Sequence, residues 1–385
     1  MRSVFLPFAP PMISQEEIEE VLDTLSSDWI TTGPKVKEFE KQFAQYIGSE
    51  TALALNSCTA GLHLALIALG IGPGDEVITT TMTFCSTVNV IEQVGARPVL
   101  VDLQPDTLNI SPELIEKAVT EKTKCILPVH YAGHPCEMDA IKETARTKDL
   151  FIVEDAAHAF SASYKGQKVG TIGDLTAFSF YVTKNITTAE GGMLTGNPEF
   201  IEKARVYSLH GMSKDAWKRY DNGSSWHYEV IYPGFKYNMT DIHASIGLRQ
   251  LQKIETFQKR RREIVQEYDK AFSEYPYFEI PCRLPNIEHS WHLYVLRLNL
   301  ETLRIDRDQF IEELKERNIG TSVHFIPIHL HPYYREKYGY KPEDYPVAYS
   351  NFKRIISLPI YPRMSDQDIA DVIEAVVDVA EKFRR

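Results

Sequence analysis

Asp155 and Lys184 stand out among the residues whose type and position could do chemistry. Asp155 closes the apolar run Leu150-Phe151-Ile152-Val153-Glu154, the pattern of a buried strand, so its carboxylate should emerge where that strand ends. Lys184 follows Phe178-Ser179-Phe180-Tyr181-Val182-Thr183, at the end of a strand expected over 177–182. Alternation puts Phe178, Phe180 and Val182 on one face and Ser179, Tyr181 and Thr183 on the other. The next turn, Thr187-Thr188-Ala189-Glu190-Gly191-Gly192, is built of small residues and permits close backbone approach. In open α/β sheets ligands bind at the carboxyl ends of the strands. A lysine and an aspartate meeting there suit pyridoxal phosphate, held as a Schiff base to lysine with an acidic partner on its ring nitrogen. The carboxylate keeps that nitrogen protonated. The lysine, once displaced by a substrate amine, can shuttle a proton. Plainer readings stand beside these. Asp155 before Ala156-Ala157 also suits a helix N-cap, and a lone lysine is ordinarily a solvated surface residue.

A third element is Leu55-Asn56-Ser57-Cys58-Thr59-Ala60-Gly61, a strand–turn–helix pattern with small polar residues at the helix start. Backbone N–H groups there form an anion site, to which Ser179 would add a hydroxyl; an ordinary N-cap is the alternative. Neither G-x-G-x-x-G nor G-x-x-x-x-G-K-[ST] occurs, so the dinucleotide and P-loop fingerprints are missing. Phe84, after the second strand, suits either a ring stacked on the pyridine or a core position. His324, His329 and His331 surround a proline at spacings unlike the usual zinc arrangements, so a substrate-facing loop is expected and no metal.

These residues need a scaffold. Apolar runs at 51–55, 76–80, 98–102, 125–129 and 150–155 alternate with helical patterns at 62–69, 111–119 and 138–146. That order predicts a mostly parallel sheet covered by helices on both faces. A capping box at Ser14 and Glu17 opens a first helix with Ile18, Val21, Leu22 and Leu25 at helical spacing. Val36, Phe39 and Phe43 mark a second helix. A long loop is expected over 213–233 and a long helix over 240–273, whose run Lys259-Arg260-Arg261-Arg262 reads as a solvated face. The expected domains are a large one over 13–250 and a small α+β one over 251–385, with residues 1–12 packed against the latter.

Composition bounds the rest. The 385 residues carry 42 basic and 53 acidic side chains, a net charge of −11, which disfavours nucleic acid as a partner. No window suits a membrane span, and the first residues lack the apolar stretch of a secretory signal, so a cytoplasmic protein is expected. The five scattered cysteines contain no C-x-x-C pair and read as buried thiols.

Taken together, the motifs resemble the DegT-type, pyridoxal-phosphate-dependent nucleotide-sugar aminotransferases. The specific matches are Glu154-Asp155-Ala156-Ala157-His158, Phe178-Ser179-Phe180 with Thr183-Lys184-Asn185, Gly234-Phe235-Lys236-Tyr237-Asn238-Met239, and His324-Phe325 with His329. Val129-His130-Tyr131-Ala132-Gly133, Lys184-Asn185-Ile186-Thr187 and Asp215-Ala216-Trp217 are similar to the subgroup that aminates C4 of UDP-4-keto-pentose to give UDP-4-amino-4-deoxy-L-arabinose. Phe84 departs from that subgroup, which carries a tryptophan there. Relatives acting on UDP- or dTDP-4-keto-6-deoxyhexoses share most of the motifs.

The resemblance implies an α/β protein of PLP fold type I, like aspartate aminotransferase. It implies a homodimer with shared active sites, a nucleotide-sugar substrate and glutamate as donor. By the same resemblance Lys184 carries the cofactor, Asp155 pairs its ring nitrogen and His158 contacts the side of its phenolic oxygen. Ser57, Cys58, Thr59 and Ser179 hold its phosphate, and Phe84 stacks on its ring. Lys236 and Asn238 would serve the partner's site, and Thr31, Tyr181 and His329 the sugar-nucleotide side. Two rivals on the same fold are a sugar dehydratase, in which histidine replaces the lysine, and a non-catalytic cofactor-binding protein. A nicotinamide-dependent oxidoreductase lacks its glycine fingerprint.

Overall fold

The computed structural model describes residues 2–213 and 228–385. Most of the expected loop over 213–233, and the match Asp215-Ala216-Trp217, lie outside the described residues. Helices α1 (Gln15–Leu25) and α2 (Pro34–Ile47) lead into an alternation of strands and helices. These are β1 (Ala52–Leu55), α3 (Cys58–Ala68), β2 (Glu76–Thr80), α4 (Cys85–Gln93), β3 (Arg97–Val101), α5 (Pro112–Ala118), β4 (Thr123–Leu127), α6 (Met138–Lys148) and β5 (Phe151–Asp155). The short strands β6 (Ser163–Tyr164) and β7 (Gln167–Lys168) precede β8 (Leu175–Ser179), β9 (Gly192–Gly196), α7 (Pro198–Ser208) and α8 (Asp241–Phe272). Then come β10 (Phe278–Glu279), β11 (Ile287–Glu288), β12 (Tyr294–Leu298), α9 (Arg307–Glu316), α10 (Pro332–Tyr338), α11 (Pro346–Phe352), β13 (Ile355–Leu358) and α12 (Asp366–Lys382).

Small polar residues start the helices where local chemistry requires. The Ser57 hydroxyl accepts the Ala60 N–H at 3.1 Å to cap α3, and Ser111 caps α5 ahead of Pro112. Ser14 and Glu17 form the expected capping box of α1, and Ser365 with Asp368 another at α12.

The central sheet has seven strands in the order β1-β9-β8-β5-β4-β2-β3. Strands β3, β2, β4, β5 and β8 are parallel, while β9 runs antiparallel to both β8 and β1. Helices cover both faces, which is why strands such as β1, β2 and β8 are buried along their whole length. Leu55, Asp155 and Ser179 end strands at one edge, beside the start of α3.

Helix α8 runs unbroken for 32 residues through the expected boundary at 250–251. Its first half packs Leu248, Leu251, Ile254 and Phe257 with Phe39, Phe43, Phe178 and Phe180. Its second half packs Ile264, Val265, Tyr268 and Phe272 with Tyr294, Phe310, Leu358 and Val376 of a C-terminal core. Leu6 joins that second core and bridges to Ile319.

Three expectations change. Strand β8 ends at Ser179 rather than Val182; a turn follows, closed by the Lys184 N–H on the Tyr181 carbonyl at 2.8 Å. Arg261 is not solvated but 2% exposed, because it falls on the inward stripe between Phe257 and Ile264. On α1 the apolar stripe faces outward, with Ile18, Leu22 and Leu25 about half exposed, while Glu17 and Thr24 are buried. No helix among the described residues is long and apolar enough to cross a membrane.

Candidate active site

Asp155 and Lys184 meet at the sheet edge. Asp155 is 4% exposed, and each of its oxygens has one donor: the Thr87 hydroxyl on Oδ2 at 2.7 Å and the Ala157 N–H on Oδ1 at 3.0 Å. The capping reading is therefore also realised, although a turn rather than a helix follows. Burial pushes the carboxyl up, against the hydrogen bonds of Thr87 and Ala157 and the charge of Lys184. Lys184 as a residue is only partly buried. Surrounding protein still lowers its amine to about 8, against the pull of Cys58 and Asp155. The two charges attract, yet no ion pair joins them.

The start of α3 faces the same space. The Cys58 thiol is pushed up by burial and by Asp155, with Lys184 opposing, which places it within reach of both charges. Ser57 caps the helix, leaving the N–H groups of Cys58 and Thr59 without protein partners. Gly192 packs on this turn so closely that a Cβ there would lie 2.5 Å from the Cys58 nitrogen. Gly192 is in register with Leu55 on one side and Ser179 on the other, so Ser179 stands across it from the turn.

Three histidines gather near Lys184. The His158 ring lies 4.5 Å from His292 and stacks on Phe325 at 5.6 Å. Burial and the Lys184 charge hold both His158 and His292 well below the usual imidazole range and lower His324 to about 4. His158 Nδ1 is buried without a partner. Phe84 is 57% exposed at the N-cap of α4, 6.1 Å from Phe325, so its core reading fails.

Tyr181 adjoins this cluster, its N–H donating to the Ser179 hydroxyl at 3.3 Å. The main chain at 237–238 pairs with Leu55 and Asn56, and the Asn238 amide donates to the Thr32 hydroxyl at 2.6 Å. The Lys236 carbonyl receives the Asn56 amide. The Thr31 carbonyl accepts the Asp241 N–H, and the Asp241 carboxylate caps α2 through Gly33 and Val36. Tyr181 is 46% exposed, whereas His329 is fully buried with Nδ1 2.7 Å from the Thr81 hydroxyl. A pocket of about 460 Å³ lies between Trp29, Thr32, Pro34, Leu53, Arg205 and Asn238; neither Lys184 nor Asp155 lines it.

Sequence reasoning missed Thr87 and His292. Thr87 carries no signal beyond its place one turn into α4. His292 has a signal in the paired histidines of His289-Ser290-Trp291-His292, just before β12.

The residues fit pyridoxal phosphate on this chain's own geometry. A desolvated amine and a buried carboxylate sense each other without touching. Two unpartnered N–H groups and the Ser179 hydroxyl flank them, and the unpartnered His158 Nδ1 belongs to the same site.

The model of the DegT/DnrJ/EryC1/StrS aminotransferase family matches residues 11–377. An uncharacterized protein of Methanocaldococcus jannaschii is 57% identical over 385 residues, 100% of both chains. The spore coat polysaccharide biosynthesis protein SpsC of Bacillus subtilis is 53% identical over 382 residues, 99% of this chain and 98% of that one. Among solved structures, the Streptococcus pneumoniae sugar aminotransferase Spr1654 in its PMP form superposes with a TM-score of 0.93 at 40% identity, covering 98% of this chain and 99% of that one.

Proposed function

The chain belongs to the DegT/DnrJ/EryC1/StrS aminotransferase family, and from that premise we propose that it moves an amino group from glutamate to the C4 keto group of a nucleotide-linked sugar. UDP-4-keto-pentose is the first substrate to test, followed by UDP- and dTDP-4-keto-6-deoxyhexoses. The reading is carried by the buried Asp155 and the neighbouring Lys184, which attract without pairing. The name of the Bacillus relative, a spore coat polysaccharide biosynthesis protein, supports a sugar as substrate.

When bound, pyridoxal phosphate supplies a carbonyl carbon for the amino group and a ring that accepts electrons from a breaking C–H bond. Lys184 holds the cofactor and moves the proton, a task suited to an amine lowered to about 8. Asp155, steadied by Thr87 and Ala157, keeps the ring nitrogen protonated. The Cys58 and Thr59 N–H groups and Ser179 hold the phosphate, where the α3 dipole offsets the chain's net charge of −11. His158 and Phe84 bound the ring.

A second copy of the chain completes the site. Lys236 and Asn238 serve the partner's cleft, and the outward stripe Ile18, Leu22 and Leu25 with Trp29 and Ile30 forms part of the contact.

Half-reaction spectroscopy tests the reading. Glutamate should shift the absorbance of the lysine-bound cofactor, and a 4-keto nucleotide sugar should restore it while yielding a 4-amino sugar by mass spectrometry. A missing glutamate shift removes the donor, and a panel of 4-keto UDP- and dTDP-sugars that restores nothing removes the acceptor.

A further inference from the structure

His292 is held by a chain of contacts that determines which of its nitrogens carries the proton. The Ser290 carbonyl can only accept, so the Asn185 group 2.8 Å away is the donating Nδ2. The Asn185 carbonyl Oδ1 therefore faces His292 Nδ1, at 3.2 Å. A carbonyl oxygen only accepts, so Nδ1 bears the hydrogen and Nε2 bears the lone pair. Nε2 lies 3.5 Å from Lys184 Nζ. Burial and the charge of Lys184, then of His158, Arg261 and His324, disfavour a second proton on this ring.

The scaffold around the ring is rigid. The Ser290 hydroxyl donates to the His158 carbonyl at 2.6 Å, and its N–H to the Gly133 carbonyl at 3.0 Å. Arg261, the buried cation that the charge run concealed, donates Nη1 to the carbonyls of Trp291 at 2.9 Å and Ile360 at 3.0 Å. Among the described residues buried Arg261 has no carboxylate partner, so its hydrogen bonds anchor the His292 segment to α8 and to the residues after β13.

We infer that His292 is a positioning residue for Lys184: its Nε2, set by Asn185, accepts one N–H of the amine and directs the rest of it toward Asp155 and the start of α3. This rests on the assignment of Lys184 as the cofactor lysine. The other groups facing Lys184 are Asp155, Cys58, His158 and His324.

The test is read on the cofactor-free protein, as the pH midpoint for trace acetylation of Lys184 by acetic anhydride, followed by peptide mass spectrometry. The parent midpoint is expected near 8. Removing the acceptor in His292→Phe should lower it by about 1 unit, since a hydrogen bond to a charged group favours the charged form. His292→Gln, which presents an oxygen acceptor, should restore most of the shift. Asn185→Leu, which leaves the imidazole in place but unlocks its tautomer, should lower the midpoint by a smaller step. Unchanged midpoints in folded His292→Phe and Asn185→Leu proteins would overturn the inference; if His292→Phe does not fold, an unchanged Asn185→Leu midpoint does so alone. Borohydride trapping of pyridoxal phosphate separates the two claims. Label on another peptide removes the Lys184 assignment, whatever the midpoints show.

Discussion

Glu17 and Lys184 meet the cost of leaving water in opposite ways. Glu17, in α1, is 1% exposed and fully partnered. Lys253 donates to both of its oxygens at 2.8 and 2.9 Å, Gln250 donates at 2.8 Å, and Ser14 donates both its N–H and its hydroxyl. Burial alone would raise this carboxyl, but those bonds bring it down to about 2. Lys184 has only the long contact to neutral His292 and a carboxylate it does not touch, and its amine falls to about 8. Ion pairs join the α1–α8 region into a fixed unit, whereas the sheet edge leaves its charges open to a ligand. Strongly shifted groups collect at functional sites for this reason, but a shift alone does not separate the two regions; partnering does.

Lys184→Ala gives the sharpest test of the contrast. Turnover and covalent cofactor attachment should vanish, while the cofactor-free protein becomes more stable to urea. The folded amine releases its proton near pH 8 and the unfolded one near 10.5, so the parent's stability should rise with pH across that window, by about 1–3 kcal/mol, and the variant's should stay flat. A variant that turns over, or loses stability, breaks the comparison.

Asp155→Asn comes next. Initial rates should fall about 10²–10⁴-fold. Melting should change little, because an amide still meets Thr87 and Ala157. The reverse behaviour belongs to Glu17→Gln, with kcat unchanged and a loss of about 1–3 kcal/mol in urea titration. The parent's Glu17 contribution is complete above about pH 4.5 and is lost as pH falls toward 2, a decline the variant should not show. The smallest effect on folding is expected at Leu22→Ser, within about 0.5 kcal/mol, because this side chain is 56% exposed. Sedimentation should nonetheless show a weakened dimer; an unchanged distribution would take α1 out of the interface.

Much of this architecture was legible. The buried runs ending at Leu55, Thr80 and Asp155 became strands with those ends, and Ser14, Ser57 and Ser111 begin helices as their side chains predict. Arg261 was legible in principle, since it repeats at i+4 from Phe257 and i−3 from Ile264, but the neighbouring Lys259, Arg260 and Arg262 disguised it as surface. The outward face of α1 was not. Periodicity marks an apolar stripe without saying what covers it, and here α8 meets the polar side through Lys253, Arg249 and Gln250.

By itself, the sequence determined the αβ alternation, the helix caps and the presence of a lysine and an aspartate suited to hold one cofactor. Those are matters of neighbouring residues, because hydrogen bonding and hydrophobic period act over a few positions. Tertiary structure alone decided that Thr87 steadies Asp155 from 68 positions away and that His292 reaches Lys184 from 108. It also decided that the two charges face each other without closing into an ion pair. Burial and partnering depend on what the whole fold brings near, and no local pattern along the chain encodes that distance.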